Sequence, residues 1–165
     1  MQLTNQTVFA CGPERTLAIL ADAAYWEEVA MESHPISYEV IVDWPRTRTE
    51  RVVNSEPPAS KLTGPTLTIV DEIAWDDGDG PERVGAVCVG VVGLPIAMAG
   101  CVRLTPEGSN TVLAYEGELT VDVPLIGKLI ERQAAPVLLK GLEHQQIVAD
   151  RWTALDQADS DKADS

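Results

Sequence analysis

Few residues in this chain have the type and spacing that chemistry needs, and Asp71 leads them. In Leu67-Thr68-Ile69-Val70-Asp71-Glu72-Ile73-Ala74-Trp75 the pattern alternates, so positions 67, 69, 71, 73 and 75 share one strand face. Asp71 is the acid on that apolar face. A carboxylate turned inward needs a partner, or its pKa is raised by desolvation. It can then orient a ligand hydroxyl or act as a base. A bulge, or a position at an open rim, gives it neither role. Tyr38 and Tyr115 are inward by the same parity. Each brings a phenolic donor and acceptor to a cavity, or packs in the core with its hydroxyl satisfied. His144 lies at the edge of a helical apolar arc, seven residues after Val137. There it can meet Asp71 as an acid–base pair, or stay a partly exposed side chain.

Other chemistries find no support. His34 precedes Pro35 in a turn, and neither histidine has a Cys or carboxylate at ligand spacing, so no metal is expected. Asp76, Asp77, Asp79 and Glu82 are acidic, but Gly80-Pro81 interrupts the alternation that a calcium loop requires. A solvated hairpin turn is the simpler reading. Gly78-Asp79-Gly80 precedes no helix and cradles no phosphate, and Ser33, Ser37 and Ser55 lack a nucleophile-elbow context. No cofactor is expected.

Composition narrows the partners. The 165 residues carry a net charge of −14, which excludes nucleic acid and disfavours anionic lipid surfaces. Hydrophobic residues make up 45%, enough for a real core. Three cysteines without regular spacing, and no basic residue from Met1 to Gly12, point to a reducing, cytoplasmic setting. The nineteen uncharged residues from Val84 to Val102 have the length of a membrane span. Four glycines and Pro95 interrupt them, and valine dominates the first half, so they read as two strands folded at Gly93-Leu94-Pro95. No membrane insertion is expected.

The remaining elements must position these residues. Leu3 to Ala10 reads as a strand. Gly12-Pro13-Glu14 starts a helix, because proline suits the first turn. A second short helix runs from Ala24 to Met31, and His34-Pro35 ends it. Ile36, Tyr38, Val40 and Val42 form one face of the next strand. Arg46 to Ser55 is polar and reads as an exposed strand, and residues 56–65 form a linker with room for one helical turn. In the valine-rich hairpin Val87, Val89 and Val91 face inward; Ala97, Ala99 and Cys101 face out, which leaves Met98 inward. A tight two-residue turn sets Cys88 opposite Cys101 on the outer face. That small apolar patch suits a homodimer, unless the register buries it. Leu113, Tyr115, Leu119 and Val121 alternate with Ala114, Glu116, Glu118 and Thr120. From Leu125 to Leu155 the period becomes helical, and Ile126, Ile130, Ala134, Val137, Gly141, Val148 and Trp152 fall on one arc.

The order is one strand, two short helices, six antiparallel strands and one long helix. The chain thereby resembles the helix-grip superfamily, which includes START lipid-transfer domains, polyketide cyclases and pollen-allergen proteins. Leu20-Ala21-Asp22 to Trp26, Trp75-Asp76-Asp77-Gly78, Val121 to Gly127 and Arg151-Trp152 look more closely like an actinobacterial branch known as a domain of unknown function. The resemblance implies an α+β fold: a curved antiparallel sheet of about seven strands gripping the C-terminal helix around an apolar cavity. It implies no shared catalytic set. The expected domain spans 1–155, with a disordered acidic tail at 156–165. The expected function is binding of a hydrophobic small molecule or lipid. The expected contacts are Tyr38, Val40, Ile69, Asp71, Ile73, Val89, Met98, Tyr115, Leu119, Ile130 and Val137. A cyclase- or dehydratase-like enzyme using Asp71, and an interaction module with a filled cavity, are the alternatives.

Overall fold

The computed structural model describes residues 1–57 and 60–164. Strand β1 (Gln2–Phe9) leads into α1 (Pro13–Leu20) and α2 (Ala23–Glu32). Pro13 stands in the first turn of α1, and the Asp22 side chain caps α2 by accepting from the Ala24 N–H at 2.9 Å. Strands β2 (Ser37–Asp43), β3 (Arg46–Asn54), β4 (Thr66–Trp75), β5 (Arg83–Val91), β6 (Ile96–Glu107) and β7 (Asn110–Val121) follow. The short α3 (Ser60–Thr63) interrupts them in the linker, of which Pro58 and Ala59 lie outside the described residues. The long helix α4 (Gly127–Ala163) ends the chain.

All seven strands form one antiparallel sheet in the order β1-β7-β6-β5-β4-β3-β2. The meander explains most of it: neighbours in sequence pair because short turns join them. Only β1 departs, docking on β7 so that Tyr115 pairs with Asn5. The Val84–Val102 stretch is a hairpin, and no helix among the described residues is long and apolar enough to cross a membrane. Its register corrects the cysteine pairing. Cys88 faces Ala99 and Cys101 faces Ala86, because the turn takes two residues more on its N-terminal side than a two-residue turn centred at 94–95. The outward parity holds, with Ala86, Cys88 and Ala99 exposed.

The sheet curves around α4. Gly85, Gly100 and Gly117 share the inward parity of Val87, Met98 and Tyr115. A Cβ on Gly85 would stand 2.7 Å from the Ala74 carbonyl oxygen, and one on Gly100 would overlap the Glu116 carbonyl. Glycine at these concave positions lets adjacent backbones close inward where a side chain would hold them apart. The fully packed core sits toward β1, β6 and β7. There the Tyr25 ring meets Phe9, Trp26 and Trp152 at centroid distances of 5.2–5.9 Å.

Two expectations need correction. Arg46 to Ser55 is not simply an exposed strand: Thr47, Thr49 and Arg51 are buried on its inner face. The acidic tail is not disordered as far as Ala163. Helix α4 continues eight residues past Leu155, and Asp156 accepts two hydrogen bonds from the Arg15 guanidinium at 2.7 and 3.0 Å. Apolar periodicity stops at Leu155 because residues 157–163 are exposed, but helix propagation needs only good helix formers and an anchored preceding turn.

A candidate ligand cavity between sheet and helix

A cavity of about 630 Å³ lies between the concave face of the sheet and the N-terminal half of α4. This falls inside the range of about 300–1,000 Å³ usual for small-molecule pockets. Its floor is β3 to β6, with Ile69 and Ile73 from β4, Val89 from β5 and Met98 from β6. Ile130 and Val137 descend from α4, and Trp26, Val29 and Ala30 close it from α2. Leu62 and Val137 line the cavity yet are more than half exposed, which places them at its opening.

Into this largely apolar space projects a polar cluster. Asp71 faces inward as parity requires, and Arg51 on β3 donates to its Oδ2 from Nη2 at 2.7 Å. Asp71 pairs in register with Thr49, so the ion pair runs diagonally across the two strands. The Arg51 guanidinium lies beneath α4, with Nη1 and Nη2 3.8 Å from where a Cβ of Gly141 would stand. One turn further along, Gln145 receives a hydrogen bond from the Tyr115 hydroxyl at its Oε1, 2.8 Å away. Its backbone carbonyl accepts from Tyr25 at 3.2 Å. His144 also lines the cavity. Arg51 Nε and His144 Nδ1 are both buried without a hydrogen-bond partner.

The surroundings bias the titrating groups. Burial pushes the Tyr115 phenol well above its ordinary range; the bond to Gln145 opposes this, and the Asp71 charge adds to it. Burial raises Tyr25 as well, and the neighbouring Tyr115 contributes. His144 is held below its ordinary value, first by burial and next by the Arg51 charge. The cluster therefore presents neutral phenols, a disfavoured imidazolium and one ion pair.

Most of the residues expected at a site meet here. Ile69, Asp71, Ile73, Val89, Met98, Tyr115, Ile130, Val137 and His144 all line the cavity. Tyr38, Val40 and Leu119 do not. Tyr38 shares a face with Arg51, but β2 is the edge strand, and the ring is 41% exposed beyond the cavity. Val40 packs on the core, and Leu119 is buried within it. Asp71 and His144 form no pair: the Asp71 Oδ2 is taken by Arg51, and His144 Nδ1 has no partner. Trp44 stacks on Trp75 and does not reach the cavity, whereas Trp26 does. Arg51, Thr49 and Gln145 escaped the sequence reading. The available signal was the period of two in Thr47, Thr49, Arg51 and Val53, which hydrophobic parity overlooks because three of the four are polar. No group of three His, Cys, Asp or Glu side chains among the described residues is arranged to hold a metal ion.

Residues 4–153 match the family described as "Protein of unknown function (DUF2505)". The chain belongs to that family. No curated protein matches the chain. Solved structures do. TTHA0849 from Thermus thermophilus is 16% identical with a TM-score of 0.63, covering 94% of this chain and 99% of that one. The Zhui aromatase/cyclase from Streptomyces sp. R1128 is 16% identical with a TM-score of 0.54, covering 96% and 93%. A STAR-related lipid transfer protein fragment from Xanthomonas axonopodis is 12% identical with a TM-score of 0.58, covering 90% and 85%. At such identities the likeness establishes the helix-grip fold; function has to come from the site.

Proposed function

We propose that the protein binds a hydrophobic small molecule or lipid in the cavity between the sheet and α4. One observation carries this reading: a largely apolar cavity of about 630 Å³, open at one end, with the Arg51–Asp71 pair on its wall. That is the make-up of a ligand pocket, in which apolar walls supply affinity and a few polar groups fix orientation. A module that has filled its cavity would have no such space. The names of similarly folded proteins, a lipid transfer protein and an aromatase/cyclase, agree with a ligand-holding role. The acid–base enzyme is the weaker reading, because Asp71 is committed to Arg51 and no hydrogen bond links it to His144. The three cysteines are free, which suits a reducing cytoplasmic setting. The exposed patch around Cys88 and Cys101 is proposed as a self-association surface; a mass that stays monomeric at every concentration removes it.

The direct test is native mass spectrometry of protein purified from its own host, with titration of the neutral fluorophore N-phenylnaphthylamine. A co-purified apolar adduct and saturable, one-to-one fluorophore binding are expected. Ala134→Trp, which places an indole in the cavity from α4, should abolish the binding while the circular dichroism spectrum is kept. Unchanged binding in that variant would put the ligand elsewhere and sink the proposal.

A further inference from the structure

We infer that the ligand of this cavity is uncharged and carries a hydroxyl, an alcohol or a phenol, whose oxygen sits at the Arg51–Asp71 pair. This inference rests on the cavity-binding reading above and adds the chemistry of the polar end.

Charge narrows the head group first. Among the described residues, five charged ones line the cavity: Glu32, Arg51, Glu56, Asp71 and Lys140. Glu56 and Lys140 are exposed, and Glu32 is held by Arg151 at 2.9 Å. That leaves Arg51 and Asp71 facing the interior, and their charges cancel. His144 adds no positive charge, since both its burial and Arg51 oppose protonation. A carboxylate entering such a place loses its hydration and finds its cation already claimed. An ammonium finds its carboxylate claimed in the same way. Neither recovers the cost of burying a charge.

A hydroxyl faces no such cost and fits both halves of the pair. Asp71 Oδ2 accepts from Arg51, leaving Oδ1 to accept from a ligand O–H. The Arg51 guanidinium has N–H groups beyond the one given to Asp71, and a hydroxyl oxygen offers them an acceptor. A carboxylate cannot donate to Asp71, and an ammonium cannot accept from Arg51. Among simple polar ends, the hydroxyl both donates and accepts without bringing charge.

The test is displacement of N-phenylnaphthylamine from the full-length protein by dodecanol, dodecanoate and dodecylamine at neutral pH. These share a chain and differ in the head. Dodecanol is expected to bind at least about tenfold tighter than either charged analogue. In Asp71→Asn the Arg51 charge is released from its partner, and dodecanoate should gain about tenfold while dodecanol does not. If that variant fails to fold, Arg51→Gln gives the mirror case, in which dodecylamine gains. A charged analogue binding as well as dodecanol to the wild-type protein overturns the inference and leaves the cavity reading standing. So does an unchanged ranking in the variant. If the probe binds and none of the three displaces it, the inference falls alone; if the probe itself does not bind, the cavity reading falls with it.

Discussion

Strands β3 and β4 carry an arginine–carboxylate contact on each of their two faces. On the concave side Arg51 reaches Asp71 diagonally at 2.7 Å, and the Arg51 side chain is only 10% exposed. On the convex side Arg48 lies directly opposite Glu72, at 3.3 Å, and also contacts Glu50 at 3.0 Å, with all three side chains open to solvent. The residue types are the same and the places are one strand-width apart. Water makes the difference. Outside, each partner can be lost and its neighbour rehydrated, so the contact contributes little. Inside, losing one partner strands the other in an apolar wall. The same pair is therefore surface decoration on one face and a constraint on ligand chemistry on the other.

The contrast between the faces can be tested in graded ways. The largest effect is expected for Asp71→Asn, which leaves Arg51 uncompensated and should cost about 3 kcal/mol of unfolding free energy, the low end for a buried pair because Asp71 is partly open to the cavity. Urea denaturation measures it, and a loss below that of Glu72→Gln would erase the distinction between the faces. Next comes Tyr115→Phe. It removes the donor to Gln145 Oε1 within the buried cluster and should cost about 1–2 kcal/mol. A smaller and conditional effect belongs to His144. Its folded-state value lies below the ordinary value of 6.5, so the unfolded chain binds the proton more readily. The stability it contributes is complete above that pH and is lost as pH falls toward the depressed folded value. His144→Gln should flatten the fall in urea midpoint between about pH 7.5 and pH 5.5 relative to wild type; equal slopes would deny the shift. The smallest change is expected for Glu72→Gln on the convex face, within about 0.5 kcal/mol.

Much of the fold was legible because its elements follow from periodicity. The alternation in Leu113 to Val121 returned as β7 with every odd position buried. The break at Gly93-Leu94-Pro95 in the uncharged stretch returned as a hairpin turn. Legibility failed where the pattern carried no information about its neighbours. Thr47, Thr49 and Arg51 look like surface residues, and nothing local shows that their side chains are buried. Tyr38 has the right parity and the wrong strand, since parity assigns a face but not a position between edge and centre. Cys88 and Cys101 missed each other because a hairpin's register depends on how many residues its turn consumes.

By itself, then, the sequence determined the element order, the face on which Asp71 stands and the net acidic charge, because these depend on local period and on charge count. Only the tertiary structure decided that Asp71 meets Arg51 twenty residues away, that α4 passes the guanidinium at Gly141, and that Gln145 closes on Tyr115. Those contacts depend on strand register and on where a distant helix crosses the sheet, and neither is written in the spacing of any one segment.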